Sequence, residues 1–209
     1  MIYILSDKKV ENTENLTVIE IKFLKKEIKL KDFDVIIFTS QNGVLALNKL
    51  NRDWINIASL AIGKATATKI KNLGGNLVYT SNTSHGDLFA NEIISLLKDK
   101  KVLYIRAKKV ASNLISILKE AKISIIDEIL YETKCKECSK LKKPEKNSYV
   151  IFSSPSTIDC FFKYFEWDYS YKAVAIGKTT AKYIPNNIKF LVSPTQTLKG
   201  CVEFIRALR

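Results

Sequence analysis

Two stretches of this chain recur further along at one fixed spacing. Val35-Ile-Ile-Phe-Thr-Ser-Gln-Asn-Gly-Val44 resembles Tyr149-Val-Ile-Phe-Ser-Ser-Pro-Ser-Thr-Ile158. Leu60-Ala-Ile-Gly-Lys-Ala-Thr-Ala-Thr-Lys-Ile70 resembles Val174-Ala-Ile-Gly-Lys-Thr-Thr-Ala-Lys-Tyr-Ile184. Phe38 and Phe152, Ser40 and Ser154, Gly63 and Gly177, and Thr66 and Thr180 all stand 114 residues apart. A looser match joins Val78-Tyr-Thr-Ser-Asn-Thr83 to Leu191-Val-Ser-Pro-Thr-Gln196. The period is far longer than that of a solenoid. The chain is therefore read as two copies of one domain.

Each copy follows the same rhythm. A short apolar strand (Val35–Phe38, Val150–Phe152) runs through Ser into a helix. The apolar sets Val44, Leu45, Leu47, Leu50 and Ile158, Phe161, Phe162, Phe165 have helical spacing. A second strand (Ala58–Ile62, Ala173–Ile176) runs through Gly-Lys into another helix. A third (Asn76–Tyr79, Lys189–Val192) ends in a Ser/Thr loop before a third helix. Between the copies lie a strand at Val102–Ile105 and a helix near Ser112–Ala121. Strands alternating with helices at these lengths predict α/β domains, each a parallel sheet flanked by helices, with right-handed crossovers.

Two segments break the rhythm. Val18–Phe23 and Asp127–Thr133 alternate apolar and polar residues, as half-buried strands do. They bracket the first copy and are expected to form a two-stranded β linker (residues 19–23 and 128–134). That leaves an inserted domain at 24–127 and a discontinuous one at 1–18 and 135–209, with a cleft between them as the expected ligand site.

Composition narrows the classes. The 209 residues are 46% hydrophobic and 26% charged, which excludes a disordered or collagenous chain. No apolar run approaches the roughly 20 residues of a spanning helix, and the N-terminus lacks a signal-peptide pattern. A cytoplasmic protein without membrane association is expected. The net charge of +13 concentrates anions near the surface. A lysine-rich run at 134–146 reads as a solvated connector. Of the four cysteines, Cys135 and Cys138 have the spacing of half a zinc site or a redox pair. With a single histidine (His85) and no strand leading into a helix there, the pair is read as incidental. Cys160 and Cys201 fall on apolar helix faces and read as small core residues.

In parallel α/β sheets, chemistry sits at the carboxyl ends of the strands, where helix N-termini gather. Those ends here are rich in Ser, Thr and Gly: Thr39–Gly43, Gly63–Thr66, Ser84–Gly86, Ser153–Thr157, Gly177–Thr180 and Ser193–Thr197. Small hydroxyls, free backbone N–H groups and helix dipoles together bind anions. Each loop alone reads equally as helix capping. Phosphate-cradling glycine motifs are absent, His85 has no catalytic partner spacing, and no carboxylate pair for acid–base work is evident. Tyr131, on a linker strand, can face the cleft.

Taken together, VIIFTSQNGV (35–44), AIGKATA (61–67), LYET (130–133), IFSSPS (151–156), AIGKTTA (175–181) and Ser193-Pro-Thr195 resemble the uroporphyrinogen-III synthase family. The resemblance implies two α/β domains on a two-stranded linker. It implies a cyclising lyase of heme biosynthesis. That enzyme takes hydroxymethylbilane, removes its terminal hydroxyl, inverts ring D and closes uroporphyrinogen III. No cofactor and no metal are implied. Tyr131 matches the tyrosine suspected of meeting the departing hydroxyl. The expected substrate contacts are Ser40, Asn42, Gly43, Thr66, Ser84, Gly86, Arg106, Ser154, Ser156, Thr179, Thr180 and Thr197. The partner is a small-molecule tetrapyrrole, with a transient hand-over from hydroxymethylbilane synthase, and the chain acts as a monomer. No nucleic-acid motif appears, so nucleic acid is not an expected partner. The competing reading is a non-catalytic cleft-type binding module for a small polyanion. The chain departs from the family pattern at Leu5-Ser6-Asp7-Lys8, where Lys8 or Lys9 replaces a guanidinium. It departs again in the link of about a dozen residues after the first strand, polar at Glu11–Asn15, where the usual crossover helix is expected to be shortened or absent, and at Ala107.

Overall fold

In a computed structural model, residues 1–83, 85–110, 112–137 and 141–208 are described. The strands are β1 (Ile2–Ile4), β2 (Glu14–Asn15), β3 (Ile19–Phe23), β4 (Val35–Phe38), β5 (Ala58–Ile62), β6 (Leu77–Ser81), β7 (Lys101–Ala107), β8 (Ser124–Cys135), β9 (Tyr149–Phe152), β10 (Lys172–Ala175) and β11 (Phe190–Val192). The helices are α1 (Gln41–Leu50), α2 (Gly63–Asn72), α3 (Gly86–Ile93), α4 (Leu114–Glu120), α5 (Pro155–Tyr164), α6 (Lys178–Ala181) and α7 (Leu198–Ala207). The chain divides into a continuous unit, Ile21–Thr133, and a discontinuous one, Met1–Glu20 with Lys134–Arg209.

The continuous unit is built on a six-stranded sheet in the order β3-β8-β7-β4-β5-β6. Strands β4 to β8 pair in parallel. All four residues of β4 are buried, as a central parallel strand covered on both faces requires. Ile36 and Phe38 face a cluster with Val44, Leu47, Trp54 and Ile70, under α1 and α2. Val35 and Ile37 face Phe89, Leu97, Leu114 and Leu118, under α3 and α4. A Cβ on Gly75 would lie 2.4 Å from the Trp54 ring, so glycine there lets the indole close against the loop. The edge strand β3 lies beside β8 and runs antiparallel to it. Leu24 N donates to Leu130 O, and Lys136 N to Val18 O, each at 2.9 Å.

The discontinuous unit carries a five-stranded, wholly parallel sheet in the order β11-β10-β9-β1-β2. Val150 and Phe152 face Ile158, Phe161 and Tyr171. Tyr149 and Ile151 face Cys201, Val202 and Ile205 of α7. The α/β class with parallel sheets between helices is thus as expected. The strand order is also the same in both copies. β4, β5, β6, β7 and β8 correspond to β9, β10, β11, β1 and β2, so the N-terminal segment completes the second copy's sheet.

The copies differ where the sequence departs from strict repetition. The link between β1 and β2 contains no helix, so of the two expected outcomes, shortened or absent, the helix is absent. The two-residue strand β2 carries no apolar signal that would announce it. Helix α6 has four residues against ten in α2. Pro185 bars a longer helix, because it has no N–H to bond the Ala181 carbonyl and it keeps Ile184 out of the helical region.

The cysteine reading needs correcting. Cys135 and Cys160 form a disulfide, with Cα atoms 5.1 Å apart. Cys135 ends β8 beside the cluster into which Cys160 projects from α5, so the two thiols meet although 25 residues separate them. Cys160 is buried as expected but is not an isolated core thiol, and Cys135 is not incidental. Cys138 lies outside the described residues. Cys201 is buried and free, and burial raises its thiol pKa. Closing a loop of this length stabilises a fold by about 3 kcal/mol in the chain-entropy account. Urea unfolding in dithiothreitol should show a loss of about 2–4 kcal/mol. Cys160→Ala should show a similar loss without reductant, and adding reductant to it should change nothing further.

Candidate active site

In a parallel sheet, ligands gather where neighbouring strands send their crossovers to opposite faces. In the continuous unit that point lies between β4 and β7, paired Phe38 with Ile105. Just beyond β4, Thr39 and Ser40 point to opposite faces, and each meets a tyrosine. The Thr39 hydroxyl lies 3.2 Å from the Tyr104 hydroxyl. The Ser40 hydroxyl stands beside the Tyr131 phenol, near enough to act on its pKa.

Ser40 is also the N-cap of α1, accepting from Asn42 N at 3.1 Å. Burial pushes the Tyr131 phenol above its ordinary pKa, and the neighbouring Ser40 hydroxyl, a group that can donate to a phenolate, draws it part of the way back. Tyr131 therefore keeps its own proton at neutral pH and can donate it elsewhere. Tyr131 is only 6% exposed. Tyr104 is raised by burial too, but its ring lies in the core on the other side of the sheet. Gly43 seats the first turn of α1 tightly, since a Cβ there would lie 3.3 Å from Ile105 Cγ2 and 3.4 Å from its carbonyl oxygen.

The other expected contacts divide by what already holds them. In the continuous unit, α2 and α3 have no side-chain cap, which leaves N–H groups beside Gly63 and Gly86. Gly63 has φ +70, a left-handed turn that glycine makes without cost. Thr66 is buried in α2, and Gly86 lies where a Cβ would come within 2.5 Å of Ser112. Ser84 falls outside the described residues. Arg106 is committed locally: Nε donates to Asp127 Oδ2 at 2.6 Å, and Nη1 to the carbonyls of Ala107 and Lys108 at 3.0 and 3.4 Å. Asp127 is a partner that sequence reasoning missed, because the two residues pair across strands.

In the discontinuous unit, Ser154 and Thr157 form a reciprocal capping box at α5. Thr197 caps α7, accepting from Gly200 N at 3.0 Å. Ser156 is half-buried in the first turn of α5, whereas Thr179 is exposed and Thr180 buried on α6. These residues share the carboxyl edge of their own sheet. Cavities of about 580 Å³ (Lys143, Tyr164, Trp167, Tyr169) and about 610 Å³ (Leu30, Phe33, Asn51, Ile57) lie instead at loops entering the amino ends of strands. Each lies at the end of its own sheet opposite the helix N-termini.

The family model for uroporphyrinogen-III synthase HemD matches residues 12–203. The chain belongs to the uroporphyrinogen-III synthase family. A uroporphyrinogen-III synthetase from Helicobacter pylori 26695 superposes with TM-score 0.87 at 28% identity, covering 100% of this chain and 99% of that one. A mutant uroporphyrinogen III synthase from the extremely thermophilic bacterium Thermus thermophilus shares the fold at TM-score 0.56 and 16% identity, covering 94% and 90%. No curated protein sequence matches significantly. As a member of the uroporphyrinogen-III synthase family, the chain is an enzyme. It is a cyclising lyase of heme biosynthesis that turns hydroxymethylbilane into uroporphyrinogen III. The non-catalytic binding module is not favoured by these matches.

Ser40→Ala removes a cap and the hydroxyl beside Tyr131 together. It should cost about 1 kcal/mol in chemical denaturation. It should also move the Tyr131 phenolate titration, read as the absorbance difference from a matched Tyr131→Phe protein, to higher pH.

Proposed function

We propose that Tyr131 is the proton donor of this synthase and that the hydroxyl and glycine turns at the strand ends bind the substrate's carboxylates. Hydroxymethylbilane carries an acetate and a propionate on every ring. The +13 charge draws such a molecule in. Ser40, Asn42, Gly43, Thr66 and Gly86 of the continuous unit contribute contacts, as do Ser154, Ser156, Thr179, Thr180 and Thr197 of the other, several through backbone N–H. Ser84 is proposed with them on its sequence alone.

The terminal C–O bond breaks as the pyrrole nitrogen pushes its electron pair toward the departing hydroxyl. That hydroxyl takes the Tyr131 proton and leaves as water. Ring D then inverts, through a spiro intermediate, and the macrocycle closes; the pyrrole carbon that forms the new C–C bond loses its proton as the ring regains aromaticity, and that proton restores the Tyr131 phenol. The pyrroles supply the electrons, so the protein contributes mainly geometry and one proton. Geometry of that kind accounts for about 7–11 kcal/mol of a barrier. The observation that carries this reading is the buried Tyr131 phenol, beside the Ser40 hydroxyl at the carboxyl edge, which burial keeps protonated. We infer further that the chain acts as a monomer in the cytoplasm and receives its substrate by transient hand-over from hydroxymethylbilane synthase. We also infer that the two copies are separate domains flanking a linker of residues 19–23 and 128–134.

Hydroxymethylbilane generated in situ closes spontaneously to the type-I isomer. Adding the protein should divert the product to type III, and product that stays wholly type I would sink the reading. Tyr131→Phe should lower kcat by about 10²–10⁴-fold while product affinity is kept. Because the phenol works protonated and burial raises its pKa, kcat should hold from about pH 6 to about 9 and fall only above the ordinary phenol range of about 10. That alkaline fall should be missing in Tyr131→Phe.

A further inference from the structure

Strands β7 and β8 pair one to one from Lys101 with Ser124 up to Arg106 with Ile129, and then Ala107 pairs with Tyr131. Leu130 is therefore an extra residue on β8, a one-residue bulge. Its effect follows from the period of a strand. Before the bulge, Ile125 faces the cluster under α3 and α4. Uninterrupted alternation would put Asp127, Ile129 and Tyr131 on that same side. The bulge resets the count. Leu130 and Tyr131 both face the cluster under α1, and Tyr131 arrives on the side of Ser40 rather than that of Thr39.

A bulge interrupts the ladder and needs support from outside it. Arg106, directly before the interruption, supplies it. Its guanidinium ties Asp127 of β8 to the carbonyls of Ala107 and Lys108 on the strand opposite the bulge. Lys108 N in turn donates to Tyr131 O at 2.9 Å. The chain of contacts runs from Asp127 through Arg106 to the backbone that fixes Tyr131.

We propose that Arg106 is a positioning residue, holding the Leu130 bulge in the register that turns Tyr131 toward Ser40, and not a ligand of a substrate carboxylate. This rests on the assignment of Tyr131 as proton donor. A lysine cannot replace it, because one ammonium lacks the fork that reaches a carboxylate and two carbonyls at once.

The test measures kcat and KM for type-III product with Arg106→Ala, Arg106→Lys and Asp127→Asn, each also in a Tyr131→Phe background. Misplacing a catalytic group by about an ångström costs up to about 100-fold. We expect all three single variants to lose about 10–100-fold in kcat with KM within about twofold. In the Tyr131→Phe background the same changes should cost less than about twofold, because the group they position is gone. Asp127→Asn is the variant least disposed to misfold, since it keeps the side-chain shape. Two results would overturn the inference. One is a KM rise of about tenfold or more in Arg106→Ala with Asp127→Asn unaffected, the pattern of a carboxylate ligand. The other is an equal kcat loss in both backgrounds. If wild-type protein forms type III but Tyr131→Phe is fully active, it is the proton-donor assignment that fails.

Discussion

Two adjacent parallel strands can be joined only by a chain that leaves one end of the sheet and returns to the other. Among the described residues every crossover but the short one from β1 to β2 brings back a helix, so the helix N-termini stand at the carboxyl edge of their sheet. The rest of the molecule follows from that constraint. It places Ser40, Gly63 and Gly86 along one edge of the continuous unit, and Ser154, Gly177 and Thr197 along the corresponding edge of the other. It also makes the middle of each sheet the place where crossovers diverge. Tyr131 reaches that place in the continuous unit.

Within the edge, two demands compete for the same hydroxyls. A helix end needs its first N–H groups satisfied, and a polyanion needs donors. The structure divides the work by position in the copy. The first helix of each copy is capped by its own serine, Ser40 or Ser154. The second helix of each copy, after Gly63 or Gly177, has no side-chain cap. Duplication has preserved this division, while the details have drifted. Ser40 caps at the second residue on, and Ser154 at the third, with Thr157 reciprocating.

Much of this was legible in the residues. Val35–Phe38 and Tyr149–Phe152 read as central strands because continuous apolar runs mark burial on both faces. Ser40, Ser154 and Thr197 read as strand-end hydroxyls because few residue types start helices. What escaped has one physical character, dependence on partners distant in sequence. The alternation in Asp127–Thr133 suggested a regular strand with Leu130 and Tyr131 on opposite faces, and only pairing with β7 shows the extra residue. Arg106 looked free because Asp127 becomes its neighbour only across strands. The spacing of Cys135 and Cys138 read as incidental, and the true partner of Cys135, Cys160, comes near only through the fold.

The position of β1 has a consequence for how the molecule is made. Ile2 pairs with Tyr149, so β1, made before the continuous unit, is an inner strand of a sheet whose neighbouring strand is made after it. The segment Ile21–Thr133 holds nearly all of the six strands of its own sheet and can close while synthesis continues. At the usual rates of translation the apolar N-terminal residues Ile2 to Leu5 wait on the order of ten seconds for their neighbour. For that interval they are a sticky, unpaired strand, and the nascent chain offers chaperones a binding site that the finished protein lacks.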